Sequence, residues 1–191
     1  MKIGLFFGSF NPVHIGHMIV ANYMVEYSDL DKLWMVLTPQ NPLKEKSDLA
    51  NNYDRLHLLD LAIGDHRKIQ WSQVEFSLPK PSYTIHTLRH LTSEYPTHEF
   101  VLVIGSDLLR SFHLWKEYEE ILSKYEIYVY RREVDMMNPF EGRGKIKLFS
   151  APLIEVSGSA IRKAIKAGKS VQYLVPQNVY EYLNSSRLYR Q

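Results

Sequence analysis

Short apolar runs divide the chain into segments with the length of buried strands. Runs of about four to eight apolar residues that end at glycine, proline or polar residues are typical of strands buried on both faces of a sheet. Six short runs are found, the last of them weaker than the others, at residues 2–7, 33–37, 69–71, 100–104, 126–130 and 145–149. The pattern therefore predicts six strands.

Between and after these runs, apolar residues recur at helical spacing. Five helices are predicted, at residues 15–27, 53–63, 84–94, 159–167 and 177–184. The first is apolar nearly all round, as expected for a helix packed against a sheet. Strands that alternate with helices favour a parallel sheet covered on both faces. We therefore predict an α/β fold, a doubly wound parallel sheet in a single Rossmann-like domain over residues 1–191, with a small helical C-terminal part.

The composition fits this fold class and argues against several functions. The chain is 45% hydrophobic and 23% charged, which is usual for a globular domain of 191 residues. It has no cysteine, which fits a reducing compartment, and no apolar run approaches the roughly 18 residues of a membrane span. A net charge of +2 is too balanced to indicate a nucleic-acid groove. We expect a cytoplasmic protein that binds neither nucleic acid nor membrane.

In doubly wound sheets, ligands bind beyond the carboxyl ends of the strands, which makes the turn after the first run a candidate site. Gly8, Ser9 and Phe10 leave the predicted strand, and His14 and His17 follow at the start of the first helix. Exposed backbone amides here, with the helix N-terminus, would favour an anion. An isolated H-x-x-H is more often structural, but its position after a buried strand favours phosphate handling. Two histidines supply at most two metal ligands, so no protein-bound metal is predicted.

A second candidate phosphate site lies near the C-terminus. Ser157, Gly158 and Ser159 are good capping residue types before a predicted helix, and Arg162 follows on its first turn. The alternative interpretation is a capped amphipathic helix with a solvated basic face. The functional interpretation places the hydroxyls, the helix N-terminus and Arg162 around a phosphate.

Both segments match signatures of a known superfamily. GSFNPVHIGH resembles the HxGH signature of nucleotidyltransferases, and VSGSAIR resembles their I-S-S-T-x-I-R segment, with Gly158 and Ser159 in place of a serine and the threonine. Five further segments, in order, resemble those of bacterial nicotinate-nucleotide adenylyltransferases, namely TPQNPLK, YDRLHLLDLAI, KPSYTIHTL, VLVIGSDLLRSFHLW and YLVPQNVYEYL. The chain is thus similar to this family over nearly its full length.

The resemblance implies roles for further residues. The nicotinate ring and its carboxylate would be bound by Ser82, Tyr83, Thr84 and Trp115. ATP and its phosphates would be bound by Gly8, Ser9, Phe10, Lys44, Gly105, Asp107, Arg132, Ser157 and Ser159. The family often has P-P-H-K at the loop lysine and R-P at Arg132, so this chain departs from the pattern at both places. The alternative interpretations are a core or rim aromatic for Trp115 and a helix cap for Asp107.

The implied reaction is attack by the 5′-phosphate of nicotinate mononucleotide on the α-phosphorus of ATP, giving deamido-NAD and pyrophosphate in NAD biosynthesis. The second pKa of a phosphate monoester lies near 6, so the nucleophile is already dianionic and needs no general base. We expect His14, His17 and Arg162 to stabilise developing charge, with Mg²⁺ on the triphosphate. A neighbouring phosphate is expected to raise the histidine pKa values above about 6.5.

Three alternatives stay open. The first is a pantetheine-phosphate adenylyltransferase, although KPSYTIHTL and Trp115 suit a flat anionic ring better than a flexible arm. The second is a preference for the nicotinamide nucleotide, which differs only in carrying an amide in place of the carboxylate. The third is a non-catalytic nucleotide sensor, which has no need of groups that stabilise transition-state charge. Self-association into a homo-oligomer is compatible with the sequence.

Overall fold

The computed structural model describes residues 1–40, 49–132 and 138–190, and within these ranges it contains one parallel sheet. The order of its strands is β3-β2-β1-β4-β5-β6, and all five neighbouring pairs are parallel. The strands are β1 Lys2–Gly8, β2 Lys32–Leu37, β3 Ile69–Ser72, β4 Glu99–Gly105, β5 Glu126–Tyr130 and β6 Lys145–Phe149. The six predicted strands are confirmed.

The chain reverses its direction of winding between β1 and β4. From β1 it passes outward to β2 and β3, and it then returns to place β4 on the other side of β1. In the registers, Leu5 pairs with Trp34 of β2 on one side and with Leu102 of β4 on the other. This reversal is the topological switch point of a doubly wound sheet, where the two sets of loops separate and leave a crevice. The predicted α/β class is therefore confirmed.

Seven helices accompany the sheet in the described ranges. They are α1 Ile15–Tyr27, α2 Asn52–Ile63, α3 Thr84–Glu94, α4 Ser106–Arg110, α5 Tyr118–Lys124, α6 Gly158–Lys166 and α7 Gln177–Ser185, with 3₁₀ turns at Val74–Phe76 and Phe112–Leu114. The five predicted helices are present. The sequence pattern missed α4 and α5, which at five and seven residues are too short to show a helical period.

Two apolar clusters cover the two faces of the sheet. Along β4, Val101 and Val103 belong to the cluster that includes residues of α1, α2, α6 and α7. Phe100, Leu102 and Ile104 belong to the cluster that includes residues of α3 and α5. This alternation follows from the two-residue period of a strand, and burial on both faces explains why the strands appear as continuous apolar runs. None of the helices in the described ranges has the length and apolar character of a membrane span.

Candidate active site

A cleft of about 510 Å³ opens at the carboxyl edge of the sheet, where β1 and β4 lie side by side. Its walls come from the end of β1, the first turn of α1, the junction of β4 with α4, residues 130–132 at the end of β5, and residues 152–156 before α6. The cleft therefore lies at the switch point, where a ligand is expected. Seven of the predicted site residues line it: Gly8, Ser9, His14, His17, Gly105, Asp107 and Arg132.

Phe10 does not line the cleft, although it was predicted to contact ATP. Its side chain is 1% exposed and packs in the core, with its ring edge-on to His17 at a centroid distance of 5.0 Å. A Cβ atom on Gly8 would lie 2.7 Å from two carbon atoms of the Phe10 ring. Gly8 thus provides the space for this ring, in addition to any approach by a ligand. The buried ring is turned away from the cleft, which leaves the backbone of Phe10 for the predicted contact with ATP.

The two histidines of the first turn stack on each other. The ring centroids of His14 and His17 are 3.6 Å apart with an interplanar angle of 24°. The backbone N–H of His14, which precedes the first residue of α1, donates to Nδ1 of His17 at 3.2 Å. A neutral ring whose Nδ1 accepts a hydrogen bond carries its proton on Nε2. His17 therefore offers an Nε2–H donor.

His14 is buried, with 5% of its surface exposed. Burial, with a smaller contribution from the positive charge of Arg132, lowers the pKa of His14 to about 4. Its Nδ1 is buried and has no hydrogen-bond partner among the described residues. Without a ligand, His14 is thus neutral at pH 7. For the pKa of His14 to rise above about 6.5, as expected from the sequence, the negative charge of a phosphate must outweigh the effect of this burial.

Asp107 and Arg132 form an ion pair in the wall of the cleft. Nη1 of Arg132 lies 3.3 Å from Oδ2 of Asp107, and the backbone N–H of Arg132 donates to Ser106 Oγ at 3.0 Å. A Cβ atom on Gly105 would overlap with Asp107 Oδ1, so glycine is needed there for the carboxylate to fold back over the strand end. Asp107 lies within the first turn of α4, whose cap position is Gly105. The alternative interpretation of Asp107 as a helix cap is therefore wrong.

The start of α6 lies against the turn after β1. Ser157 caps the helix by accepting from the backbone N–H of Ala160 at 3.2 Å. Nη1 of Arg162 donates to the backbone oxygen of Asn11 at 2.8 Å. A Cβ atom on Gly158 would lie 2.7 Å from that same oxygen. Glycine at 158 thus allows the two candidate phosphate segments to meet, although Ser157, Ser159 and Arg162 are not part of the cleft wall itself.

The predicted nicotinate residues lie at two places, Ser82, Tyr83 and Thr84 at the start of α3 and Trp115 directly after the 3₁₀ turn Phe112–Leu114. Tyr83 precedes the first helical residue, Thr84, and the backbone N–H of Ser82 donates to the backbone oxygen of Gln40 at 3.0 Å. Trp115 packs on Phe112 with ring centroids 5.1 Å apart. None of the four predicted nicotinate residues lines the 510 Å³ cleft. Lys44, predicted to reach the phosphates, lies outside the described residues.

Six buried side-chain polar atoms have no hydrogen-bond partner among the residues that the structure describes. Such atoms are rare in folded proteins because each loses its interaction with water without a replacement. Four of the six belong to predicted site residues, namely His14 Nδ1, Ser82 Oγ, Asp107 Oδ1 and Trp115 Nε1. The other two belong to Trp34 and Glu75, which were not predicted as site residues.

Two buried charged residues near the site were not singled out from the sequence. Arg55 is fully buried and donates to the backbone oxygens of Ser9 at 2.6 Å and Thr38 at 3.0 Å. It thereby joins the ends of β1 and β2. The signal for it was present in the sequence, because Arg55 lies on the same face of α2 as the core residues Leu58 and Leu59, three and four positions later.

Glu75, in the 3₁₀ turn after β3, is the second such residue, with 2% of its surface exposed. Thr87 donates to its Oε1 at 2.8 Å, while Oε2 is buried without a partner among the described residues. Burial raises the pKa of Glu75, and the neighbouring hydroxyls of Thr87, Thr38 and Ser82 act in the opposite direction. Glu75 therefore joins the 3₁₀ turn after β3 to α3 through its hydrogen bond with Thr87. No sequence signal marked it.

A family model described as cytidylyltransferase-like matches residues 5–164 of the chain. A probable nicotinate-nucleotide adenylyltransferase of Flavobacterium psychrophilum is 50% identical over 192 residues, covering 100% of both chains. One of Cytophaga hutchinsonii is 48% identical and covers 99% of this chain and 98% of its own.

Solved structures of low sequence identity share the fold. A Plasmodium falciparum nicotinic acid mononucleotide adenylyltransferase complexed with NaAD has a TM-score of 0.84 at 19% identity, covering 98% of this chain and 97% of its own. A putative nicotinate-nucleotide adenylyltransferase of Vibrio parahaemolyticus has a TM-score of 0.70 at 23% identity, with 96% and 99% covered. At these identities the likeness shows a shared fold.

Proposed function

This chain belongs to the nicotinate-nucleotide adenylyltransferase family, and we propose from that premise that it joins the adenylyl group of ATP to the 5′-phosphate of nicotinate mononucleotide. The products are deamido-NAD and pyrophosphate, which makes the protein a nucleotidyltransferase of NAD biosynthesis. The observation in the structure that best supports this activity is the stacked pair His14–His17 in the cleft at the switch point.

We assign the adenosine of ATP to the outer part of the cleft. Leu108, Leu153 and Ile154 line it and are partly exposed, so they supply apolar surface for a flat base. Asp107 Oδ1, buried and without a partner among the described residues, would accept a hydrogen bond from a ribose hydroxyl. In this arrangement Arg132 would exchange its contact with Asp107 for one with a phosphate oxygen.

The triphosphate would extend from the first turn of α1 toward the start of α6. The N-termini of α1 and α6 both present backbone N–H groups and the positive end of a helix dipole, which favour an anion. Ser157 and Ser159, whose hydroxyl oxygens are 3.1 Å apart, would donate to its oxygens. Arg162, held by Asn11, would add a fixed positive charge.

The chemical step needs alignment and charge stabilisation rather than proton abstraction, because the attacking phosphate is already dianionic. His17 would donate its Nε2–H to an oxygen of the α-phosphoryl group. His14, neutral in the free protein, would take up a proton as the triphosphate arrives and would then carry positive charge. Arg162 would balance the charge that develops on the leaving pyrophosphate.

Mg²⁺ would arrive on the triphosphate. Among the described residues, no group of three or more histidine, cysteine or acidic side chains converges to form a cage for it. Mg²⁺ keeps several water molecules and is commonly held by substrate phosphates with few protein ligands. Its contribution would be to neutralise phosphate charge, and the residue roles above do not depend on a protein ligand to the metal.

The nicotinate carboxylate would lie at the N-terminus of α3, beside Ser82, Tyr83 and Thr84. Trp115 Nε1 is buried and has no partner among the described residues, so it would donate to an oxygen of the substrate. The Ser82 hydroxyl lies beside Glu75 and would turn from that carboxyl toward the substrate. An anion at a helix N-terminus gains about 0.3–1 kcal/mol, and up to about 2 kcal/mol where it is partly buried. A neutral amide loses this gain. The preference for nicotinate over nicotinamide would therefore be about twofold to thirtyfold from this interaction alone.

The test is pyrophosphate release with ATP and each of three acceptors, namely nicotinate mononucleotide, nicotinamide mononucleotide and 4′-phosphopantetheine. We expect the highest kcat/KM with nicotinate mononucleotide. His17→Ala should reduce turnover by about a hundredfold or more, as removal of one charge-stabilising donor does in other enzymes. His90→Ala is the matched control, because His90 is exposed on α3. A higher kcat/KM with phosphopantetheine, or undiminished turnover by His17→Ala, would contradict the proposal.

A further inference from the structure

The C-terminal tail reaches back to the turn after β1. The hydroxyl of Tyr189 donates to Asn11 Oδ1 at 2.7 Å, across 178 positions of sequence. Asn11 is buried, with 5% of its surface exposed. Burial raises the pKa of Tyr189, although the nearby positive charges of Arg55 and Arg162 act in the opposite direction. The hydroxyl therefore keeps its proton and acts as a donor at neutral pH.

Asn11 connects this tail to both sides of the phosphate region. Its Oδ1 also accepts from the backbone N–H of Ala50 at 3.1 Å, just before α2. Its backbone oxygen accepts from Nη1 of Arg162 at 2.8 Å. One buried asparagine thus joins the first turn, the approach to α2, the basic side chain of α6 and the end of the chain.

The backbone is held in an uncommon conformation at Tyr189 and at Phe10, the residue before Asn11. Among the described residues, three that are not glycine have positive φ: Phe10 at 42°, Glu117 at 53° and Tyr189 at 63°. Phe10 directly precedes Asn11, and Tyr189 is its hydrogen-bond partner. Positive φ is costly for a residue with a side chain and persists only where the surroundings enforce it. Such residues cluster at functional sites.

We propose that Tyr189 is a positioning residue for adenylyl transfer, which acts through Asn11 to hold Arg162 and the first turn in the arrangement that receives the triphosphate. This inference rests on the proposed function, because the triphosphate site belongs to it. Without the Tyr189 hydroxyl, Asn11 Oδ1 keeps its bond to Ala50 and loses the one that ties it to the tail. The Asn11 carbonyl and the guanidinium that it orients then gain freedom of movement. Catalysis is sensitive to displacements of about 1 Å, even from distant changes.

The first test compares Tyr189→Phe with wild type in the full chain. We expect kcat/KM for ATP to fall about threefold to tenfold, the range for one lost hydrogen bond, and the affinity for inorganic tripolyphosphate, measured by calorimetry, to fall similarly. Tyr180→Phe is the control, because its half-buried hydroxyl makes no hydrogen bond with the described residues. Tyr189→Phe should melt about 2–4 °C below Tyr180→Phe, because only Tyr189→Phe loses a hydrogen bond of the folded chain. Tripolyphosphate affinity and kcat/KM within twofold of wild type would overturn the inference.

The second test asks whether Tyr189 acts through Asn11. Asn11→Ala and the double variant Asn11→Ala with Tyr189→Phe should have equal kcat/KM and equal tripolyphosphate affinity, because the second change has no contact left to remove. Additive losses would overturn the route through Asn11. If Tyr189→Phe does not fold, Asn11→Ala removes the same hydrogen bond by deleting its acceptor, and its kcat/KM and tripolyphosphate affinity then test the contact. If the wild-type protein binds tripolyphosphate but transfers AMP to no acceptor, the proposed function is wrong. The tripolyphosphate affinities of wild type and Tyr189→Phe still test the role of Tyr189 in that case.

Discussion

The low pKa of His14 predicts that the free protein loses stability in mild acid. The ordinary pKa of histidine is 6.5, and burial holds that of His14 at about 4 in the folded chain. Between pH 6.5 and pH 4, His14 binds a proton in the unfolded chain but stays neutral in the folded chain. Acid therefore favours the unfolded state, and the stability contributed by neutral His14 is lost as the pH falls from about 6.5 to about 4.

The size of the effect follows from the difference between the two pKa values. Each unit is worth 1.36 kcal/mol, so the complete loss is about 3 kcal/mol. At pH 5 the unfolded chain is almost fully protonated at this position and the folded chain is not, which leaves a loss of about 2 kcal/mol relative to pH 7. Domains of this size have a total free energy of unfolding of only about 5–15 kcal/mol, so this loss is measurable.

The assay is urea unfolding at pH 7 and pH 5, with His14→Gln beside wild type. Other groups change the free energy of unfolding of both proteins in the same way, so the difference between them isolates His14. We expect wild type to lose about 2 kcal/mol more than His14→Gln between the two pH values. His90→Gln, which replaces an exposed histidine, should behave as wild type. Equal losses in wild type and His14→Gln would refute the reasoning.

Three further predictions concern residues that support the site. Gly158→Ala should reduce kcat/KM for ATP about tenfold, because the new methyl group meets the Asn11 carbonyl oxygen and moves α6 away; steady-state kinetics within twofold of wild type would contradict this. Arg55→Lys should lower the free energy of unfolding in urea by about 2–4 kcal/mol, because one ammonium cannot replace a buried guanidinium that donates to several oxygens; a loss below about 1 kcal/mol would show that the contacts are dispensable. Glu75→Gln should lower the free energy of unfolding by less than about 1 kcal/mol and Glu75→Ala by about 2–3 kcal/mol, because burial favours a neutral carboxyl that an amide can imitate. Thermal unfolding in which Glu75→Gln is the less stable of the two variants would indicate an ionised Glu75.

The elements of the sheet could be predicted because local patterns determine them. Parallel strands buried on both faces leave continuous apolar runs, and the helix over Ile15–Tyr27 was predicted with the bounds that the structure has. The helix Ser106–Arg110 was missed because five residues do not complete two turns. Its formation depends on packing at the end of β4, which no local pattern records.

In the candidate site, too, local features could be predicted from the sequence and the surroundings of a side chain could not. Sequence alone placed His14, His17 and Asp107 beyond the ends of strands, because glycine turns and strand ends are local features, and the structure brings all three into one cleft. It could not show that the ring of Phe10 turns inward, or that burial moves the pKa of His14 to about 4. Both depend on which distant side chains surround a residue.

Two superfamily signatures and five segments that resemble one family were enough to predict the fold, the reaction and the acceptor, because residues that touch a substrate recur in fixed local patterns. Only the tertiary structure showed what holds those segments together. Arg55 bonds to a backbone oxygen 46 positions away and Tyr189 to a side chain 178 positions away. Such contacts form only after the strands have taken their order in the sheet, since that order decides which turns meet at the cleft.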